Sequence, residues 1–141
     1  MGDPYQLKRF VIAQDAGAMY EGAVSELRRG RKIGHWMWFV FPQIAGLGYS
    51  ATARKFAISS LKEAQAYLQH PVLGSRLMTC AQVLLGVKGK SAVEIFGSTD
   101  AMKLRSSMTL FMKAAPDQPM FRQVLVKYFQ GSPDPNTIER L

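Results

Sequence analysis

Apolar residues in this chain recur at three- and four-residue intervals in one segment after another, and no run alternates as a strand would. The cleanest run is Phe121, Val124, Leu125, Tyr128 and Phe129, closed by Gly131. Side chains three and four apart share one face of an α-helix, so each run makes a stripe that must be buried. Tyr20, Ala23, Val24 and Leu27, ending at Gly30, form another. Leu73, Leu77, Cys80, Ala81, Leu84 and Leu85 form a third, and Ala101, Leu104, Met108, Phe111 and Met112 a fourth. Stripes of this kind bury one another as helix on helix. The reading is all-α: one compact multihelical domain of about seven helices over residues 1–131, with residues 132–141 a tail that makes one last helical turn.

The start and stop chemistry agrees. Asp3-Pro4 predicts a helix start, with a capping carboxylate and proline at the first helical position. Ser50 to Ile58 reads as a short helix. Ser60-Leu61-Lys62-Glu63 and Ser91-Ala92-Val93-Glu94 both have the capping-box spacing. The first opens a helix that ends at His70-Pro71, and Pro71 opens the next. The second predicts a short helix stopping at Gly97, with Thr99 or Asp100 capping its successor.

One segment departs from the pattern. His35-Trp36-Met37-Trp38-Phe39-Val40-Phe41-Pro42-Gln43 holds both tryptophans and follows neither period. Pro42, Gly46 and Gly48 punctuate it as a loop. Aromatics on irregular backbone are buried or line a cavity, and the polar members, His35, Gln43 and the indole N–H groups, then need partners. An imidazole is the side chain best suited to acid–base work at physiological pH, so His35 is the candidate catalytic residue. Its bland alternative is a hydrogen-bonded core histidine. Glu26 and Asp100 are the carboxylates nearest in sequence.

Composition narrows the classes. With 141 residues, 48% hydrophobic and 20% charged, the chain is globular rather than disordered. No apolar run suits a signal peptide or a membrane span, and the single Cys80, on an apolar stripe, excludes an internal disulfide framework. A cytoplasmic protein without membrane attachment is expected, a monomer or weak homodimer. Two histidines and one cysteine make no structural zinc site, and neither a metal nor a cofactor is expected. The formal charge of +8 and a pI near 9.9 favour anionic partners.

Two further elements suit an anion. Gly46-Leu47-Gly48-Tyr49-Ser50 leads into a short helix carrying Arg54 and Lys55, where backbone N–H groups at Gly48 and Ser50 would face a ligand. A plain capping turn is the alternative. Lys103, Ser106 and Ser107 stand at i, i+3 and i+4, so a helix puts a cation beside two hydroxyls on one patch. Hydroxyls bonded to their own backbone are the alternative there.

Several stretches together resemble a known family. Asp3-Pro4 through Arg9-Phe10, then Tyr20, Ala23, Glu26-Leu27 and Gly30, match it, as do HWMWFVFPQIAGLGYS, EAQAYLQHPVLGSRL, IFGSTDAMKLRSSMTLF and Phe121 through Gly131. The chain is similar over nearly its whole length to an uncharacterised bacterial family, catalogued as domain of unknown function 1810 and often labelled calpastatin-like. The resemblance implies a small, mainly helical, single-domain cytoplasmic protein and no established activity. Calpastatin itself is a long, disordered inhibitor, the opposite of this composition. Tyr49-Ser50 before a basic helix is also similar, faintly, to NADAR-type proteins, although Thr52 and Ala53 stand where those carry a glutamate. That likeness implies a hydrolase acting on a nucleotide or ADP-ribose N-glycosidic linkage.

The favoured function is a module that binds or processes a small anionic, nucleotide-like ligand. Trp36 and Trp38 would stack a base, His35 and Gln43 would read polar edges, and Lys103, Ser106 and Ser107 would hold the anionic end. The first alternative is a nucleic-acid-binding module using a dispersed basic surface: Arg28, Arg29, Arg31 and Lys32 with Lys88 and Lys90. The second is an interaction protein whose aromatic segment is an interface patch.

Overall fold

The computed structural model describes residues 2–141, and these form an all-α domain. Helix α1 (Lys8–Asp15) runs through a 3-10 turn (Ala16–Ala18) into α2 (Met19–Arg28). Then follow α3 (Met37–Val40), α4 (Ala51–Lys55), α5 (Leu61–Gln69) and α6 (Leu73–Gly86). The chain closes with α7 (Ala92–Ala114), α8 (Pro119–Phe129) and α9 (Pro135–Glu139). Among the described residues the one β-bridge is a parallel pairing of Ile44 with Ile58.

The stripes meet as their periodicity demands. Helix α7 packs on α5, α8 and α9, and α6 packs on α2, α5 and α8. Leu77, Cys80, Ala81 and Leu84 from α6, Leu104, Met108 and Phe111 from α7, and Phe121, Val124 and Leu125 from α8 are all buried. Burial pushes the Cys80 thiol up to about 12, so at neutral pH it is an inert core group.

The capping signals form with local differences. Ser91 and Glu94 make the full reciprocal box. Ser60 accepts from Glu63 N, but the Glu63 carboxylate turns to Ser59 and to Arg9, 3.0 Å away. Arg9 also donates to the carbonyls of Lys55 and Ala57, tying α1 to the end of α4. The expected stop at Gly97 is a break inside α7, where φ is +80°. Neither Thr99 nor Asp100 caps a new helix there, because the helical turn resumes at once and Asp100 is claimed by two lysines.

Three local expectations are corrected. The first helix begins at Lys8, not at Asp3-Pro4. A turn through Gln6 (φ +52°) intervenes, and Asp3 caps across it, accepting from Leu7 N at 2.8 Å and Lys8 N at 2.9 Å. The helix expected over Ser50 to Ile58 stops at Lys55, because Ile58 N donates to Gln43 O and Ala45 N to Ile58 O, both at 2.8 Å. Pairing with the aromatic segment draws residues 56–58 out of the helix. Within that segment, Met37–Val40 closes one helical turn.

Candidate functional site

The aromatic segment is held by a single carboxylate oxygen. Glu26 Oε1 accepts from Ile33 N at 2.7 Å, Gly34 N at 2.9 Å and the Trp36 indole N–H at 2.9 Å. Burial works against the charge of Glu26, but these donors and nearby Lys32 outweigh it and hold the carboxyl below its ordinary value. Lys32 lies over the Trp36 ring, 5.0 Å from its centroid, and pairs with Asp100 at 2.8 Å. Asp100 pairs also with Lys103 at 3.1 Å, and Lys103 lies 4.1 Å from the centroid of Trp38. Asp100 too is partly buried, which opposes its charge, yet the two ammonium groups leave its pKa lowered.

Beside this frame lies a cavity of about 170 Å³, lined by Trp38, Gln43, Gly46, Gly48, Arg54 and Phe56 among others. Glycine is required at both loop positions. A Cβ on Gly48 would lie 2.8 Å from Ala53 Cβ and 3.1 Å from the Trp38 ring. Gly46 has φ +98°, and a Cβ there would lie 2.7 Å from Arg140 Nε. Gln43 is only 7% exposed, and its Nε2 is buried without an acceptor among the described residues. Arg54 and Arg140 pair with no carboxylate among the described residues, and Arg140 donates to Gly46 O at 3.3 Å.

The fold gathers some of the expected residues and scatters others. Trp38, Gln43 and Gly48 share the cavity wall. Ser50 sits next to it, capping α4 by accepting from Ala53 N at 3.1 Å. Lys103 lies over the Trp38 ring and does not line the cavity. His35 is exposed and lines no part of it, and Trp36 is core, 1% exposed. The patch of Lys103, Ser106 and Ser107 does not exist as one surface. Ser106 is buried and bonded to Asp134 at 3.1 Å, and Ser107 is fully buried with its hydroxyl unpartnered. The same helix turns these side chains in different directions, because α9 covers Ser106 and the core claims Ser107. Arg140 had no local signal in the sequence: it arrives from the chain's far end.

The profile of the family described as "Protein of unknown function (DUF1810)" matches residues 4–141. The chain belongs to the DUF1810 family. A solved structure, that of the conserved hypothetical protein Rv1873 from Mycobacterium tuberculosis, is 53% identical with a TM-score of 0.95. The likeness covers 99% of this DUF1810 chain and 98% of that one. No curated protein matches the chain. Neither the family's description nor the name of the mycobacterial protein states an activity. In this member, no helix among the described residues is long and apolar enough to cross a membrane. Nor do three or more His, Cys, Asp or Glu among those residues group as metal ligands.

Proposed function

We propose that this chain binds a small ligand that has a flat ring and an anionic group, with the ring in the cavity beside Trp38. The observation that carries the reading is a buried carboxamide, Gln43, with a nitrogen that lacks an acceptor, in the wall of a cavity also lined by an unpaired arginine. An unmet buried donor costs about 1–3 kcal/mol, and an acceptor on a ring edge would remove that cost. The anionic end lies toward Arg54 and Arg140, replacing Lys103, Ser106 and Ser107 in that role. At about 170 Å³ the cavity is below the roughly 300–1,000 Å³ of sites that enclose whole drug-sized molecules. One ring system enters and the rest stays outside, which fits a nucleobase with its phosphates at the rim. No carboxylate or imidazole among the described residues lines the cavity, so the proposal is binding without turnover.

Calorimetric titration with AMP, ADP and ADP-ribose tests it, with tryptophan fluorescence as the second reading. Saturable heat and a fluorescence change are expected, the heat weakened in Arg54→Gln and the fluorescence change lost in Trp38→Phe. Silence of both signals at millimolar ligand, or unchanged affinity in Arg54→Gln, overturns the proposal.

A further inference from the structure

Two basic runs that stand far apart in the sequence meet in the fold. Helix α2 ends at Arg28, and the chain turns at Gly30, where φ is +70°. Lys90 lays its side chain on that turn: a Cβ on Gly30 would lie 3.0 Å from Lys90 Cδ. Lys90 Nζ donates to Gly30 O at 3.1 Å. Two residues on, Lys32 N donates to Ile95 O at 2.8 Å, so the two segments run side by side. The loop leaving α6 is itself held, since Lys127 donates to the carbonyls of Leu85 and Val87 and the Tyr128 hydroxyl to that of Leu84. Arg28 and Val87 line one shallow groove, so the two basic runs expected to be dispersed lie side by side and make an edge that carries Arg28, Arg29, Arg31, Lys88 and Lys90, all exposed.

This edge has no internal neutralisation. None of the five cations has a carboxylate within ion-pair distance among the described residues. Glu26, nearest in sequence, is turned inward to Trp36, and Glu94 is engaged by Ser91. Lys32 is withdrawn to Asp100 and takes no part.

We propose that this edge binds the phosphodiester backbone of nucleic acid without reading its sequence. Three arginines present forked donors that match phosphate oxygens, and two lysines add point charge on a loop already fixed in place. No exposed large aromatic side chain lies in these two segments to stack or read a base. An anionic membrane is the poorer fit: the exposed apolar side chains nearby are Ile33 and Val93, with no long apolar helix face to insert beside the charge. The edge shares no residue with the cavity lining, so it stands apart from the proposed small-ligand site.

The test is fluorescence anisotropy with a labelled 20-nucleotide single strand and the matching duplex, in salt from 50 to 200 mM. Five phosphate contacts give a log–log salt slope of about −4.5 on duplex, an affinity loss on the order of 10²- to 10³-fold across that range. The triple variant Arg28→Gln, Arg29→Gln, Arg31→Gln should bring the slope to about −2, and Lys88→Gln with Lys90→Gln to about −3. Lys62→Gln, Lys113→Gln and Arg122→Gln together remove the same charge elsewhere and should leave the slope unchanged. Three results overturn the proposal. One is no binding of either probe at 50 mM salt. Another is an equal loss in the displaced-charge control, which makes net charge the cause. The third is co-sedimentation with phosphatidylserine vesicles but no binding to nucleic acid.

Discussion

Glu26 shows how much one side chain carries here. Its Oε1 serves two amides and an indole N–H, so Glu26→Ala strands three donors and should cost about 2–4 kcal/mol in urea denaturation. Glu26→Gln keeps an accepting oxygen and should cost less. The folded pKa values of Glu26 and Asp100 both lie below their unfolded ones. Their stabilisation is therefore present above about pH 4 and lost as pH falls through the folded values. Circular dichroism below pH 4 should show acid unfolding, with a shallower acid limb in Glu26→Gln. The tryptophans divide in the same way. Trp36→Ala empties a fully buried site and should cost about 3–5 kcal/mol, whereas half-buried Trp38 should accept phenylalanine for about 1 kcal/mol. Of the two tryptophans, Trp36 is the core member and Trp38 the one at the cavity. Ser106→Ala should lose about 1 kcal/mol through Asp134, and no anion affinity.

At the scale of elements, two helical glycines have opposite meanings. Gly22 lies within α2 with nothing near the position of a Cβ, so Gly22→Ala should stabilise by about 0.5–1 kcal/mol. At Gly74 a Cβ would lie 2.0 Å from Leu68 O, where α5 and α6 meet at a sharp corner. Gly74→Ala should cost about 3 kcal/mol or more, read as a lower melting temperature or loss of soluble protein. Nothing in the local sequence distinguishes them. By contrast Ser50, Ser60 and Ser91 are legible as caps, because the hydroxyl and the amide it serves lie within three residues of each other. The same locality explains the two helix ends that differ from expectation. Lys8 became a start and Lys55 a stop through a turn at Gln6 and a pairing to Gln43, and the second joins residues on either side of an irregular loop and a short helix.

The whole molecule is tied together at its C-terminal end. Asp134 caps α9, accepting from Thr137 N at 3.1 Å, and its carboxylate meets Ser106 while its own N–H donates to Thr109. Arg105 reaches back to the carbonyls of Ser132 and Pro133. Ending the chain at Gly131 strands these groups and should cost about 2–3 kcal/mol, roughly 10 °C in thermal unfolding. The same truncation removes Arg140 from Gly46 and should weaken ADP binding in calorimetry.

A helical period records which face of a segment points inward, and a capping hydroxyl records where the segment starts. Both act over three or four residues, which is why the all-α class, the buried stripes and most helix ends are readable from the sequence by itself. Neither records which partner a face will meet. The joining of Gln43 to Ile58, of Glu26 to Trp36, of Lys103 to Trp38 and of Arg140 to Gly46 spans 10 to 94 positions. So does the merging of the Arg28–Arg31 run with Lys90. A charge or an aromatic ring carries no address in the sequence. The cavity, its arginine rim and the basic edge exist because packed helices brought distant residues within hydrogen-bond reach.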